Sequence, residues 1–490
     1  MLPFSILAVK PASRVLFNSF DFGLFLVSVY CLYWMIGRKK RRFQNVVLLL
    51  SSYVFYGLWD WRFLGLLIAS SLIDFIAAKA IHNSDNKVSR KLWLAFSIFW
   101  NLGILITFKY FNFFIGSFAE LFSLQLSVET YSIWNVIIPV GLSFYTFQTM
   151  SYTIDVFRRK QKPTKNLLEF CCFVAFFPQL VAGPIERANK LLPQFESQRE
   201  FSLKNAKDGL RQILWGLFKK ILVADKLGIA VTMVYNDPEA YGSLTLIYAT
   251  VLFCFQIYCD FSGYTDIALG TAKLFGFKLS KNFHFPYLSQ SITNLWQRWH
   301  ITLTNWFTDY VYIPFVKSRK QVNFWSRGFG LLITMVLVGL WHGANWTFVA
   351  FGLFNGIVLV AERIPLNSKK YTLKKYLHSA PRIVPFIYVF IMAGIAAVFF
   401  RAENIDQAAL ILKRIFTLAP DDRISSLIGS KLWYFVIMII AEMLTRKKDF
   451  PLQDIERFFP RPVRWVLYYI LIFLIIRYAE PKEAFLYFQF

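Results

Sequence analysis

The chain alternates long apolar runs with short clusters of lysine and arginine. The first run, residues 20–37, ends at Arg38-Lys39-Lys40-Arg41-Arg42. A helix needs roughly 20 apolar residues to cross a bilayer, and this run is close to that length. Residues 45–59 and 63–81 form a second and a third run, joined by the polar turn Asp60-Trp61-Arg62. Further runs cover residues 92–108, 134–154, 210–233, 244–258, 346–360, 383–399, 433–444 and 463–476. They are continuous, unlike the short alternating segments of a strand-based barrel. The pattern predicts an all-α polytopic membrane protein with roughly ten to twelve transmembrane helices plus re-entrant segments.

Two stretches do not read as plain spans. Residues 167–185 end in Phe177-Pro178-Gln179-Leu180-Val181-Ala182-Gly183-Pro184, with Lys162 and Lys165 before and Arg187 and Lys190 after. Closely spaced Pro and Gly with basic residues on both sides predict a buried segment that returns to the side it came from. Pro139 and Gly141 weaken the run at 134–154 in the same way. Broken backbone at membrane depth requires protein or a water cavity around it.

Charge adds orientation. The net charge of +25 comes from 54 basic and 29 acidic residues, and 56% of the chain is hydrophobic. Nucleic acid is one partner class for such a balance. It is the weaker one here, because the basic residues sit between apolar runs, as cytoplasmic loops of membrane proteins do. Residues 187–226 are basic and partly amphipathic, which suggests a solvated helix at the lipid headgroups or a mouth that attracts an anionic substrate. The loop at 401–423 falls outside. All five cysteines lie in apolar runs without metal-site spacing, so neither a metal centre nor a disulfide framework is implied. The first run lacks a small-residue cleavage site and reads as a retained span.

Candidate chemistry gathers between residues 296 and 346. Two of the five histidines, His300 and His342, stand there beside Trp296, Trp299, Trp341 and Trp346. Ionisable groups at membrane depth are costly and usually serve a pathway or a site. A neutral imidazole also suits general-base work. The alternative is a pair of satisfied core histidines. His82, His284 and His378 read as incidental. Asp260 and Asp266 are six residues apart, not on one helical face, so they read as structural or as orienting a histidine.

Several strings resemble the membrane-bound O-acyltransferase family, and within it the bacterial alginate O-acetyltransferase branch. They are Arg298-Trp299-His300-Ile301-Thr302-Leu303, Leu340-Trp341-His342-Gly343, the run from Pro139 to Gln148, Phe177 to Ile185, and Cys259 to Asp266. The resemblance implies a single membrane domain over residues 16–490, with residues 1–15 an N-terminal extension. It implies catalysis by His342 with His300, and substrate contacts from Trp296, Arg298, Trp299, Trp341 and Asn345. It also implies acetyl-coenzyme A as donor with no bound cofactor, a periplasmic acetyltransferase partner, a polysaccharide acceptor and the inner membrane. Asn355 stands where related chains often have histidine. Rival readings are transfer of D-alanine, acetylation of peptidoglycan or a lipid, and a transporter without chemistry. Arg298 is expected near the donor's phosphates or paired with Asp266. The basic loop at Arg319, Lys320 and Arg327 also carries an expectation. His342, about 21 Å along a helix from Gly328, would lie past the midplane of a core about 30 Å thick, with His300 nearer the cytoplasm.

Overall fold

The computed structural model describes residues 17–35, 40–122, 138–181, 183–366, 371–420, 433–479 and 485–486. The expected all-α architecture is found, with one ladder of two-residue strands, Pro365–Leu366 and Tyr371–Thr372, among the described residues. Five helices there are long and apolar enough to cross a membrane, and three shorter ones are also apolar. The chain divides into two compact units, Met1–Gly209 with Ala268–Leu279 and Leu210–Ile267 with Ser280–Phe490. The extension expected at residues 1–15 lies outside the described residues.

The first unit holds α1 (Phe20–Met35), α2 (Arg41–Asn83), α3 (Lys87–Leu105), α4 (Phe111–Leu121), α5 (Leu142–Phe157), α6 (Leu167–Ala175), α7 (Phe177–Leu180) and α8 (Ala188–Glu196). At about 1.5 Å per residue α2 is twice as long as a bilayer core is thick. It breaks at Asp60, whose φ of −163° and ψ of 107° are not helical. The break is the expected polar turn, and Arg62 pairs with Asp60 at 2.5 Å across it. The run expected from residue 134 becomes helical only at Leu142; residues 134–137 lie outside the described residues. Residues 170–180 are buried throughout, as a re-entrant piece requires. Side chains repair their broken backbone: Gln148 and Gln179 donate to the Phe173 carbonyl at 2.6 and 2.9 Å, and Ser52 accepts from the Phe177 N–H at 3.1 Å.

The second unit begins inside α9 (Leu203–Leu217) and continues through the π-helical stretch Phe218–Ala224 to α10 (Asp225–Asn236). That segment was expected as a span at 210–233 but is not among the five crossing helices. Then come α11 (Ser243–Leu274), shared between the units, α12 (Ile292–Trp296), α13 (Ile301–Phe307), α14 (Ile313–Lys317), α15 (Phe324–His342), α16 (Trp346–Ala361), α17 (Leu373–Ser379), α18 (Ile383–Arg401), α19 (Ile405–Phe416), α20 (Trp433–Leu444) and α21 (Arg461–Arg477). A π-helical turn, Thr308–Tyr312, joins α13 to α14, so residues 301–317 run as one interrupted helix.

The solvated basic face expected over residues 187–226 is not what three of its cations make. Arg199, in the first unit, is buried and donates to Tyr33 Oη at 2.7 Å and Asn45 Oδ1 at 2.6 Å. Lys219 and Lys220, in the second, are buried with carboxylate partners. A cation is stable away from water only when paired and hydrogen-bonded, and all of these partners except Asp225 come from elsewhere in the chain.

Candidate active site

His342 is the last residue of α15 and His300 the residue before α13. Residues 301–317 run down and α15 runs back beside them, with Phe315 and Phe329 in contact at 5.9 Å. This helical hairpin returns His342 to the end where His300 sits. The two imidazoles flank Trp341, whose ring lies 5.5 Å from His300 and 5.0 Å from His342. On α11, His342 shares a cavity with Phe253, Cys254 and Ile257, whereas His300 packs on Phe261, about one helical turn further along. The wide difference in depth expected for the two histidines is therefore not found. Charge counting registered the basic loop after residue 317 but not that the chain descends a full helix to reach it.

The cavity has a volume of about 70 Å³ and is lined by His342, by Phe351 and Asn355 of α16, by Trp296 of α12, by Trp299 and Tyr287, and by Ala396 and Phe400 of α18. Its walls are mostly apolar, and none of the described residues that line it is acidic. The His342 ring meets Phe400 edge-on at 5.1 Å and Phe351 at 5.9 Å. Glycine lets α15 and α16 close over this end. A Cβ on Gly339 would sit 2.1 Å from the Phe348 carbonyl oxygen, and one on Gly352 would sit 2.3 Å from that of Met335. Asn355 accepts from Trp296 Nε1 at 3.1 Å and donates to the Phe351 carbonyl at 2.9 Å. Its amide fixes both the tryptophan and its own place in the wall.

Two turns below Asn355 on the same face of α16 is Glu362, fully buried. It accepts the Ile292 N–H at 2.6 Å, the Thr293 N–H at 2.9 Å, the Thr293 hydroxyl at 2.6 Å and the Tyr388 hydroxyl at 3.2 Å. Amides at a helix start are otherwise unsatisfied, and a carboxylate there is well placed. Glu362 thus holds the start of α12, and Asn355 its end.

His300 is fully buried and has φ of 41°, a left-handed conformation uncommon for a residue other than glycine. Phe285 is in the same region at 48°. The two turns that contain these residues are zipped together. The His284 N–H donates to the Arg298 carbonyl at 2.9 Å, and the Ile301 N–H to the Asn282 carbonyl at 2.9 Å. Asn282 Oδ1 accepts the Thr302 hydroxyl at 2.8 Å and its N–H at 3.2 Å. Strained backbone persists only where its surroundings over-determine it, and it clusters at functional sites.

Asp260 and Asp266 hold the fold. Lys220 bridges Asp260 and Asp225 at 2.6 and 2.7 Å, and the Leu486 N–H donates to Asp260 at 2.9 Å. Lys219 pairs with Asp266 at 2.6 Å and donates to Ser262 at 2.8 Å; Gln212 also donates to Asp266, at 2.8 Å. Asp266 is therefore not the partner of Arg298, which makes no ion pair among the described residues. Asn345 caps α16 by accepting the Thr347 N–H at 3.0 Å, and it donates to the Glu403 carbonyl at 2.9 Å. Those bonds account for its side chain, and it does not line the cavity. Among the other residues read as substrate contacts, Trp296 and Trp299 are in the wall, while Trp341 stands between the histidines.

Comparison with known proteins bears on what this arrangement does. The profile of the membrane-bound O-acyltransferase family matches residues 120–401. A probable alginate O-acetylase of Azotobacter vinelandii is 34% identical over 444 residues, 90% of this chain and 85% of that protein. The chain belongs to the membrane-bound O-acyltransferase family. Its similarity to alginate O-acetylases places it in that branch, and it is an O-acyltransferase. A peptidoglycan O-acetyltransferase of Helicobacter pylori is 30% identical over 80% of this chain and 76% of that protein. A teichoic acid D-alanyltransferase of Streptococcus thermophilus is 29% identical over 58% of this chain and 73% of that protein. In this acyltransferase the sequence reading missed Glu362, Asn282 and the weight of Asn355. Asn282 lay in a run set aside with His284, and Glu362 looked like one charge at the end of an apolar run. Such a carboxylate, directly after a span, was the only available signal.

Proposed function

We propose that this acyltransferase moves an acetyl group from cytoplasmic acetyl-coenzyme A across the inner membrane toward an alginate-like extracytoplasmic polysaccharide. A periplasmic acetyltransferase partner completes the transfer. The observation that carries the reading is His342 opening into a small, apolar cavity. One water takes about 10–15 Å³ of such a space, so the cavity has room for several waters and admits a two-carbon acyl unit. His342 takes the proton of an incoming hydroxyl as its oxygen bonds to the thioester carbon. The carbon–sulfur bond breaks, the departing thiolate receives that proton, and ester and free thiol result. His300, in the neighbouring strained turn, sets the Trp341 face against which this happens.

Transfer of D-alanine is the second reading, supported by the name of the Streptococcus thermophilus relative. An aminoacyl group carries an ammonium that needs a carboxylate once desolvated, and no acid among the described residues lines the cavity. That favours acetyl. The test is purified protein with acetyl-coenzyme A, followed by free-thiol release with and without a candidate partner. Release that depends on His342 supports the reading. If thioester is never cleaved under either condition, acetyl-coenzyme A is not the donor.

A further inference from the structure

Asn355 is only 5% exposed and stands with His342 in the cavity wall. A carboxamide has one acceptor oxygen and a nitrogen with two hydrogens. Its two partners here determine which end faces which way. An indole N–H only donates, so the atom that meets Trp296 Nε1 at 3.1 Å is Oδ1. A carbonyl only accepts, so the atom that meets the Phe351 carbonyl at 2.9 Å is Nδ2. That bond uses one Nδ2 hydrogen. The other has no acceptor among the described residues. A buried donor left unpaired is costly, and native structures keep few of them. Two further donors of the wall are committed: the Tyr287 hydroxyl to the Cys254 carbonyl at 2.6 Å, and the Trp296 indole to Asn355 itself. Phe351 and Asn355 are one turn apart on α16, and both line the cavity. The Phe351 ring lies 5.9 Å from the His342 ring and 6.3 Å from the Trp296 ring. Asn355 and His342 border one space of about 70 Å³, so an acyl unit seated there meets both.

We propose that the second Nδ2 hydrogen of Asn355 is a donor to the oxyanion that forms during acyl transfer. The inference rests on the acyl-transfer reading and adds the group that receives the negative charge. As the hydroxyl oxygen bonds to the thioester carbon, the carbonyl π pair moves onto its oxygen, and His342 holds the hydroxyl proton. When the π bond re-forms, the carbon–sulfur bond breaks and the proton passes from His342 to the thiolate. Asn355 exchanges no proton. It donates a hydrogen bond that is stronger to the oxyanion than to the ground-state carbonyl, and only such a difference speeds the chemical step. Both ends of the amide are already held, so nothing has to reorganise as the charge develops. The apolar wall strengthens the bond, because a low local dielectric screens it less.

The experiment pairs a side-chain change with an atom change in the donor substrate. Asn355→Leu keeps nearly the shape of the amide and removes its hydrogens. Wild type and variant are assayed in detergent for thiol release from acetyl-coenzyme A and from its dithioacetyl analogue, whose C=S sulfur is a weak hydrogen-bond acceptor. The quantity read is the ratio of kcat/KM for the two, divided by the ratio of their rates with hydroxide in solution. This oxygen preference does not depend on how much of the variant is folded. Wild type shows a preference above one. Asn355→Leu lowers kcat for acetyl-coenzyme A about 10²-fold, slows the dithioester far less, and loses the preference. Asn355→Ala, which cannot clash, is read in the same way. A wild-type preference of one overturns the assignment. So do equal losses for both substrates in the variants, or a variant kcat that stays at the wild-type level. Wild type that cleaves neither substrate overturns the parent reading instead.

Discussion

The cavity at His342 and the zipped turn at His300 both adjoin one tryptophan ring, that of Trp341, yet they are built on opposite principles. Around His342 the backbone is regular helix, and the side chains leave space. Around His300 the chain turns through a left-handed residue, and the side chain is fully buried. The first region is made by what the helices omit, bulk at Ala396 and Ala397, while Gly339 and Gly352 let α15 and α16 close tightly beside it. The second is made by what the loops add, namely hydrogen bonds that Asn282 accepts from the residues after His300. One region offers room for a reacting group, and the other supplies the stiffness that keeps such a room in register. A catalytic constellation needs both, because a misplacement of about 1 Å costs on the order of 10²-fold in rate.

The comparison is broken most directly at His342. His342→Ala removes the base and lowers thiol release by about 10²–10⁴-fold, while the amount of protein in the membrane stays at the wild-type level. Activity close to wild type would show that the room matters and the imidazole does not. Next in size is Glu362→Ala, which leaves the buried donors of Ile292 and Thr293 without an acceptor. Stability falls by about 3 kcal/mol, the scale of a lost charged hydrogen-bond partner. It is measured as a lower detergent melting temperature together with a shifted tryptophan emission from Trp296. A melting temperature that does not move would mean that α12 is held by packing alone.

Asn282→Ala tests the turn itself. It removes the side-chain acceptor for Thr302 and costs about 1–3 kcal/mol, with kcat falling because His300 loses its fixed backbone and Trp341 the fixed ring beside it. Should kcat stay constant while stability drops, the turn is scaffold and has no part in positioning. The smallest change is Trp296→Phe. It keeps an aromatic wall but deletes the hydrogen bond to Asn355, worth about 0.5–1.5 kcal/mol. The expected outcome is a modest rise in KM with nearly unchanged stability. A large loss of kcat would place the Trp296 indole among the groups that act on the reacting atoms.

Much of the architecture follows from local signals. Run length marks membrane helices because hydrocarbon cannot satisfy a backbone that is not helical. The break in α2 was visible as Asp60-Trp61-Arg62, and the re-entrant α6–α7 as closely spaced proline and glycine. The motif strings picked out His300 and His342 as a pair. What they did not contain is the distance between the two. Reading topology from charge treats the chain as a series of crossings. That left residues 301–317 as a loop beside the cytoplasm, although they form the descending arm of a hairpin.

The basic stretch at 187–226 shows the same limit. Composition sees cations near apolar residues and assigns them to water. Burial of Lys219 and Lys220 depends on carboxylates at positions 225, 260 and 266, and only the packed structure brings the last two to them. Glu362 and Asn282 escape notice for that reason too, since their partners lie 70 and 20 residues away. The sequence by itself determined the helical membrane class, the acyltransferase signature and the two histidines, because each depends on composition or on residues adjacent in the chain. The tertiary structure alone decided which carboxylates neutralise which lysines, where the cavity opens and how near the two imidazoles come. Those depend on electrostatic and packing contacts that fall off over a few ångströms in space, whatever the separation along the chain.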